Sequence, residues 1–285
     1  MSASSPPPVQ HLVSVVVEDF FHAHVFERVV PRSSWDAQPR RVEAATMTLL
    51  DLLAAHDVHG TFFTLGWVAE RHPGLVRAIA AAGHELASHT WWHPKITTLT
   101  PAAFRDELRT SKAILEDTAG QRVIGFRAPS FSIRPGMDWA FDALLEEGYR
   151  YDSSLFPIRR PDYGWPGAPV VWHQIHRPNG SLYEFPLATL SWFGVRLPAA
   201  GGGYLRHLPF AVIRGAFAAC ERGGTPGMFY IHPWDLDQDQ PRLPLPLLGR
   251  VRHYRGLGRA RPRLERLLRE FRFTSVARFL DGRLD

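Results

Sequence analysis

The run Leu12-Val13-Ser14-Val15-Val16-Val17 constrains this chain more than any other stretch. Short, apolar and rich in β-branched residues, it predicts a strand buried on both faces. It ends in Glu18-Asp19, and two carboxylates at the end of such a strand are costly unless exposed in a cleft, paired or metal-bound. The pattern then recurs. Apolar runs at 60–66, 84–87, 122–126, 149–151, 182–186 and 227–231 predict further strands. Helical periodicity at 41–56, 68–82, 101–117, 137–147 and 208–222 falls between most of them. Gly83 is placed to close the second helix, and Thr100 before Pro101 to cap the third. Strands alternating with helices predict parallel βα units.

Polar clusters follow the predicted strands: Glu18-Asp19, Ser88-His89 with His93, Arg127 with Pro129, Asp152-Ser153, and His232. In a β/α barrel the active site is assembled from strand ends on one face. His89 and His93 stand four apart, a spacing that would bring both imidazoles to one ion from a single helical turn. By itself that pair is weak evidence among the fourteen histidines of the chain.

With 285 residues the chain can bury a substantial core as one barrel domain. Its formal charge is +5, and only Lys95 and Lys112 are lysines, so the basic side chains are nearly all arginine. A basic balance suits nucleic acid, an anionic membrane face or an acidic glycan, and no nucleic-acid recognition motif supports the first. The lone Cys220 excludes an internal disulfide and a multi-cysteine zinc site, and its apolar helical surroundings predict an inert thiol. No basic-then-apolar leader opens the sequence and no apolar run approaches a membrane span, so a cytoplasmic location is expected. Eleven arginines fall between 250 and 285, against Glu265, Glu270, Asp281 and Asp285. Leu264, Leu267, Leu268 and Phe271 give that region an apolar helical face. A docked helix with a solvated basic face is expected, with peripheral contact to an anionic membrane as the alternative.

Taken in order, these clusters resemble the polysaccharide deacetylase family, carbohydrate esterase family four with the NodB-homology domain. The resemblance covers about residues 12–235, with Ser-His-x-x-x-His as its strongest motif. It is closest to a branch linked to exopolysaccharide gene clusters, which shares a Glu-Asp-aromatic-Phe start, Tyr-Asp-Ser-Ser-x-x-Pro, a late His-Pro-Trp and a C-terminal extension. The resemblance implies a distorted (β/α) barrel of seven βα repeats with a C-terminal helical extension. The expected layout is a disordered tail over 1–10, a barrel over 11–240 and a basic extension over 241–285 packed on it.

It also implies one divalent ion, zinc before cobalt, nickel or manganese, held by Asp19, His89 and His93 with positions open to water. Glu18 would be the general base, His232 the general acid, Arg127 the group orienting the base, and Asp152 the carboxylate orienting His232 or Arg127. Trp92, Pro129, Trp234 and Tyr204 would meet the sugar, and Gly201-Gly202-Gly203 would allow a tight turn or a close approach of backbone to it. An exchange in which Glu18 binds the ion and Asp19 is the base stays open. Members of the branch often carry an Asp two residues before the Glu, where this chain has Val16. Either that residue is the base and is missing, or Glu18-Asp19 matches the Asp-Asp pair of the wider family and nothing essential is lost. The expected activity is removal of an N-acetyl group from an amino sugar in a polysaccharide or glycan precursor. A catalytically silent glycan-binding homologue and a deacylase of a small non-sugar amide are the alternatives.

Overall fold

The computed structural model describes residues 9–160 and 163–283. Most of the expected N-terminal tail, residues 1–8, lies outside the described residues. The strands are β1 (His11–Val17), β2 (Thr61–Thr64), β3 (Glu85–Ser88), β4 (Gly125–Phe126), β5 (Tyr151–Asp152), β6 (His173–Arg177), β7 (Gly180–Glu184), β8 (Thr189–Trp192), β9 (Val195–Pro198), β10 (Met228–Ile231) and β11 (Phe273–Thr274). The helices are α1 (Val42–Ala55), α2 (Gly66–Arg71), α3 (Pro73–Ala81), α4 (Pro101–Ala119), α5 (Trp139–Glu146), α6 (Gly202–His207), α7 (Phe210–Arg222), α8 (Leu247–Tyr254), α9 (Leu257–Glu270) and α10 (Val276–Leu280).

Seven strands run parallel in the order β10-β1-β2-β3-β4-β5-β7, and β6 pairs antiparallel with β7 at the edge. The sheet curls towards a barrel, closed only by one bridge from Leu187, just past β7, to Met228 of β10. Every residue of β1 is buried, as a strand covered on both faces requires. The repeat is less regular than expected. A hairpin, β6–β7, replaces a helical crossover after β5, and the β8–β9 hairpin precedes α6 and α7.

The expected helix over 68–82 is two helices. Pro73 starts α3, and His72 before it takes a non-helical conformation (φ −129°, ψ 56°) that ends α2. Gly83 closes α3 at φ +75°, and the Thr100 hydroxyl accepts from Ala103 N–H at 3.2 Å to cap α4. The C-terminal extension does more than pack on the outside. Its strand β11 joins the main sheet beside the start of β1. Helix α9 buries Leu257, Ala260, Leu264, Leu267 and Leu268 and lies against α6. Arg263 donates to the carbonyls of Leu205 (2.6 Å) and Leu208 (2.8 Å) at the end of α6, where a cation suits the helix dipole.

Candidate active site

Glu18 follows β1 and is 2% exposed. Its Oε2 lies 3.1 Å from His93 Nε2 and its Oε1 lies 3.3 Å from His232 Nε2. Trp234 Nε1–H points at Oε1 from 3.4 Å. His89 Nδ1–H donates to the Arg127 carbonyl at 2.7 Å, which fixes the tautomer and leaves Nε2 as a free lone pair. Burial lowers the basicity of both His89 and His93, so both imidazoles are held neutral. Ligand atoms of Glu18, His89 and His93 lie within 4.8 Å of one another. A carboxylate oxygen and two neutral imidazoles, with Glu18 Oε2 buried and without a hydrogen-bond donor, fit a divalent ion.

The two histidines reach this point differently from the sequence expectation. Strand β3 ends at Ser88, and residues 89–95 are not helical. Thr90 (φ +66°) and His93 (φ +56°) both take left-handed backbone. The Glu107 carboxylate holds this tight loop by accepting from Trp91 N–H (2.7 Å) and Trp92 N–H (3.0 Å). Ser88 supports it from below through a 2.7 Å hydrogen bond with Ser111.

Asp19 does not join the cluster, which overturns its expected role as ligand. Its Oδ1 accepts from Phe20 N–H, and its Oδ2 from Arg41 and Val42 N–H, at 2.8–3.0 Å. Those bonds pin the segment after β1 to the start of α1 and occupy both oxygens. Burial pushes the carboxyl up to about 6, against the pull of the three amides. The same saturation removes Asp19 from the role of base in the exchange left open by the sequence. Glu18 alone faces the cleft, so one carboxylate stands where ligand and base were both expected.

The strand period places Ser14, Val16 and Glu18 on one face of β1. Val16 lines the cleft beside Glu18 and is 2% exposed. Arg127 is fully buried on the same wall, and its guanidinium donates to Ser14 Oγ (2.8 Å), Ser153 Oγ (2.7 Å) and Ser153 O (2.9 Å). Among the described residues it makes no ion pair, and burial brings its pKa down to about 10, still charged at neutral pH. Its expected contact with Glu18 is therefore absent, because the guanidinium is turned to Ser14 and Ser153 instead. Asp152 orients neither Arg127 nor His232. It accepts from Ser154 Oγ at 2.5 Å and pairs with Glu184 across the β5–β7 ladder. Asp152 Oδ2 and Glu184 Oε2 are both buried without a donor. Burial raises both carboxyls, and the neighbouring Asp152 raises Glu184 further, while Glu184 in turn draws Asp152 down.

His232 is oriented instead by Asp235, three residues on. Asp235 Oδ2 accepts from His232 N–H at 3.1 Å and lies 3.3 Å from Nδ1. Trp234 stacks on the imidazole with centroids 4.4 Å apart. Asp235 in turn pairs with Arg206 of α6 at 2.8 Å, both within 1% of complete burial. Arg206 also donates to the carbonyls of His253 (2.6 Å) and Arg255 (3.1 Å). The extension therefore braces the histidine. Gly202 is required here, since a Cβ would come within 1.8 Å of Asp235 Oδ2. Gly202 makes room for Asp235, while Gly201 takes the turn at φ +116° and Gly203 lines the cleft. Asp235 was readable as the fourth residue of His-Pro-Trp-Asp; Arg206 had no local signal, its partner being distant in sequence.

The cleft over these groups holds about 570 Å³, a size suited to a small-molecule or sugar site. Tyr204 and Trp234 line it as expected. Trp92 and Pro129 do not. The Trp92 ring packs near Trp35 with the Arg32 guanidinium 5.2 Å above it, and Pro129 is buried behind the wall.

A curled α/β half-barrel with a carboxylate, two histidines and a braced third histidine at its strand ends defines a class of domain with a candidate metal site, and comparison with known proteins narrows it. Residues 32–144 match the polysaccharide deacetylase family, and residues 153–281 match a domain of unknown function, DUF3473. A peptidoglycan-N-acetylglucosamine deacetylase of Bacillus cereus is 38% identical over 149 residues, covering 48% of this chain and 53% of that protein. A chitooligosaccharide deacetylase of Rhizobium leguminosarum is 36% identical over 126 residues, covering 35% and 59%. A crystal structure assigned to the polysaccharide deacetylases of Mycobacterium smegmatis superimposes with a TM-score of 0.65 at 21% identity, over 98% of this chain and 92% of that one. Residues 32–144 are thus similar to the polysaccharide deacetylases, and the Mycobacterium smegmatis structure has the same fold. The chain spans just over half the length of those two curated relatives.

Proposed function

We propose that this protein is a metal-dependent hydrolase that removes an N-acetyl group from an amino sugar. The observation that carries this reading is the Glu18–His89–His93 cluster with His232 on the other oxygen of Glu18, at the floor of a sugar-sized cleft. Glu18, His89 and His93 would hold the ion, which when bound would polarise the amide carbonyl and acidify water. His232 presents Nε2 to the cleft while Asp235 holds Nδ1, the arrangement of a side chain that moves a proton at one defined atom. Water adds to the acetyl carbon, the C–N bond breaks, and the departing sugar nitrogen takes a proton from His232 Nε2. Acetate and a free amine are the products. With Val16 on the wall and Asp19 turned away, His232 is also the group nearest to accept the proton that water gives up. It would then act first as base and afterwards as acid.

A second reading is favoured by Val16 itself: a glycan-binding homologue that kept the cleft and lost its base. Acetate release by the metal-loaded protein from a panel of acetylated amino sugars separates the two, with His232→Ala and Glu18→Gln as controls. Complete metal binding with no release would overturn the enzyme reading. The exopolysaccharide assignment belongs to the proposal and is supported by the C-terminal extension and its bracing of the site. Peripheral membrane contact belongs to it too. Leu247 and Leu248 of α8 are 73% and 84% exposed on the same helix as Arg250 and Arg252, and co-sedimentation with anionic but not neutral vesicles tests it. Among the described residues no helix is long and apolar enough to cross a membrane.

A further inference from the structure

The charge of the cleft is lopsided. Lys95, Arg127, Arg160, Arg206 and Arg252 line it, and Glu18 is the one carboxylate among its lining residues. Two of these cations are answered locally. Asp235 neutralises Arg206 at 2.8 Å, and Glu27 approaches Lys95 at 3.7 Å while the Lys95 ammonium lies 3.0 Å from His24 Nε2. Arg127 is buried without a carboxylate partner. Arg160 and Arg252 are exposed at the mouth, and neither guanidinium makes an ion pair among the described residues. Both line the cleft together with Tyr163 and Tyr204. That wall is polar. The Tyr163 and Tyr204 hydroxyls bond each other at 2.5 Å, and His207 lies beside them. A divalent ion on Glu18 would make the cleft more positive still. A neutral sugar gains nothing from such a field, whereas an anion is concentrated and oriented by it.

We propose that the substrate is an amino sugar carrying its own negative charge, a phosphate or a carboxylate, received by Arg160 and Arg252 at the mouth while its acetamido group reaches Glu18 and His232. This rests on the reading of the site as one for an amino sugar. Separating these exposed arginines, which make no ion pair among the described residues, from His232 at the floor fixes the direction in which the sugar enters.

The test uses the full-length, metal-loaded protein and measures binding by calorimetry alongside acetate release. The probes are N-acetylglucosamine, N-acetylglucosamine 1-phosphate and a disaccharide of glucuronic acid with N-acetylglucosamine. The expected result is that at least one anionic probe binds roughly tenfold tighter than the neutral sugar at low salt, about 1.4 kcal/mol. The advantage shrinks as salt screens the mouth. Which probe gains distinguishes phosphate from carboxylate. The Arg160→Gln/Arg252→Gln variant should bring anionic binding down to that of the neutral sugar. Equal binding of all three probes, or a preference that survives in the double variant, overturns the proposal. Charge preference without acetate release would leave it standing and refute the deacetylase reading; acetate release without charge preference would do the reverse.

Discussion

Replacing Val16 by Asp should add a carboxylate base to a cleft in which the proposed mechanism leaves His232 to serve as both base and acid. Position 16 shares a strand face with Ser14 and Glu18, and Ser14 Oγ is already held by the Arg127 guanidinium at 2.8 Å. A carboxylate two residues along, about 6–7 Å further on the strand, enters the cleft between that unpaired cation and Glu18. Burial would push the new carboxyl upward, as it does Asp19, but Arg127 opposes it and keeps the group ionised near neutral pH. A positioned base contributes roughly 10²–10⁴-fold, and acetate release from an acetylated amino sugar should rise within that range. Losing a buried Val side chain costs roughly 2 kcal/mol, and pairing with Arg127 offsets much of the added charge. The melting temperature should therefore fall by no more than roughly 4–8 °C. Val16→Asn is the control, since it brings the same polarity without accepting a proton. If Asp and Asn at this position release acetate at the same rate, the missing-base argument is wrong, and His232 or another group already does that work.

Three further outcomes follow from the same geometry. Chelation should abolish any acetate release and lower the melting temperature, and Glu18→Gln should lose metal binding as measured by elemental analysis; metal retained in that variant would place the ion elsewhere. Asp235→Asn leaves Arg206 buried without its partner, a loss of about 3–5 kcal/mol for a broken buried pair. It should also lower kcat for acetate release at temperatures where the variant is fully folded, and a loss of stability with an unchanged kcat would reduce Asp235 to a structural role. The Asp152–Glu184 pair binds a proton in the folded state at pH values where the unfolded chain has released it. Its contribution is present below the unfolded carboxylate range near 4 and is lost as pH rises through the raised folded values. Glu184→Gln, which keeps a donor there at every pH, should flatten that decline in a pH series of thermal melts; an equally steep decline in the variant would place the titration elsewhere.

The parallel strands and the face carrying the site were legible because buried strands impose a composition that local sequence displays: β1 could be read from its β-branched run alone. Register and hairpins were less visible. The polar strand β6, with alternating exposure, gives no apolar signal and takes its place only by pairing with β7. At the site, residue types were readable and their partners were not. His89 and His93 were found from spacing, yet the reason for that spacing was misread, because a left-handed loop can close the same distance as a helical turn.

The carboxylates show where local reading stops. Glu18 and Asp19 are neighbours on an extended backbone, so their side chains must leave on opposite sides. Only one can enter the cleft, and the strand period says which: the residue in phase with Ser14 and Val16. The same parity makes position 16, not 19, the place from which a second carboxylate could act. Arg127 agrees with this: among the described residues its buried guanidinium bonds serines and a carbonyl and lies 4.1 Å over the Phe63 ring, with no carboxylate, a costly arrangement that an acid at position 16 would relieve. The half of the site contributed from beyond residue 200 follows a different logic. His232 is fixed by Asp235, Asp235 by Arg206, and Arg206 by carbonyls of the extension. That series of contacts lies wholly within residues 153–281, one family match, while His89 and His93 lie within the other, so both matched segments contribute side chains to the one cleft.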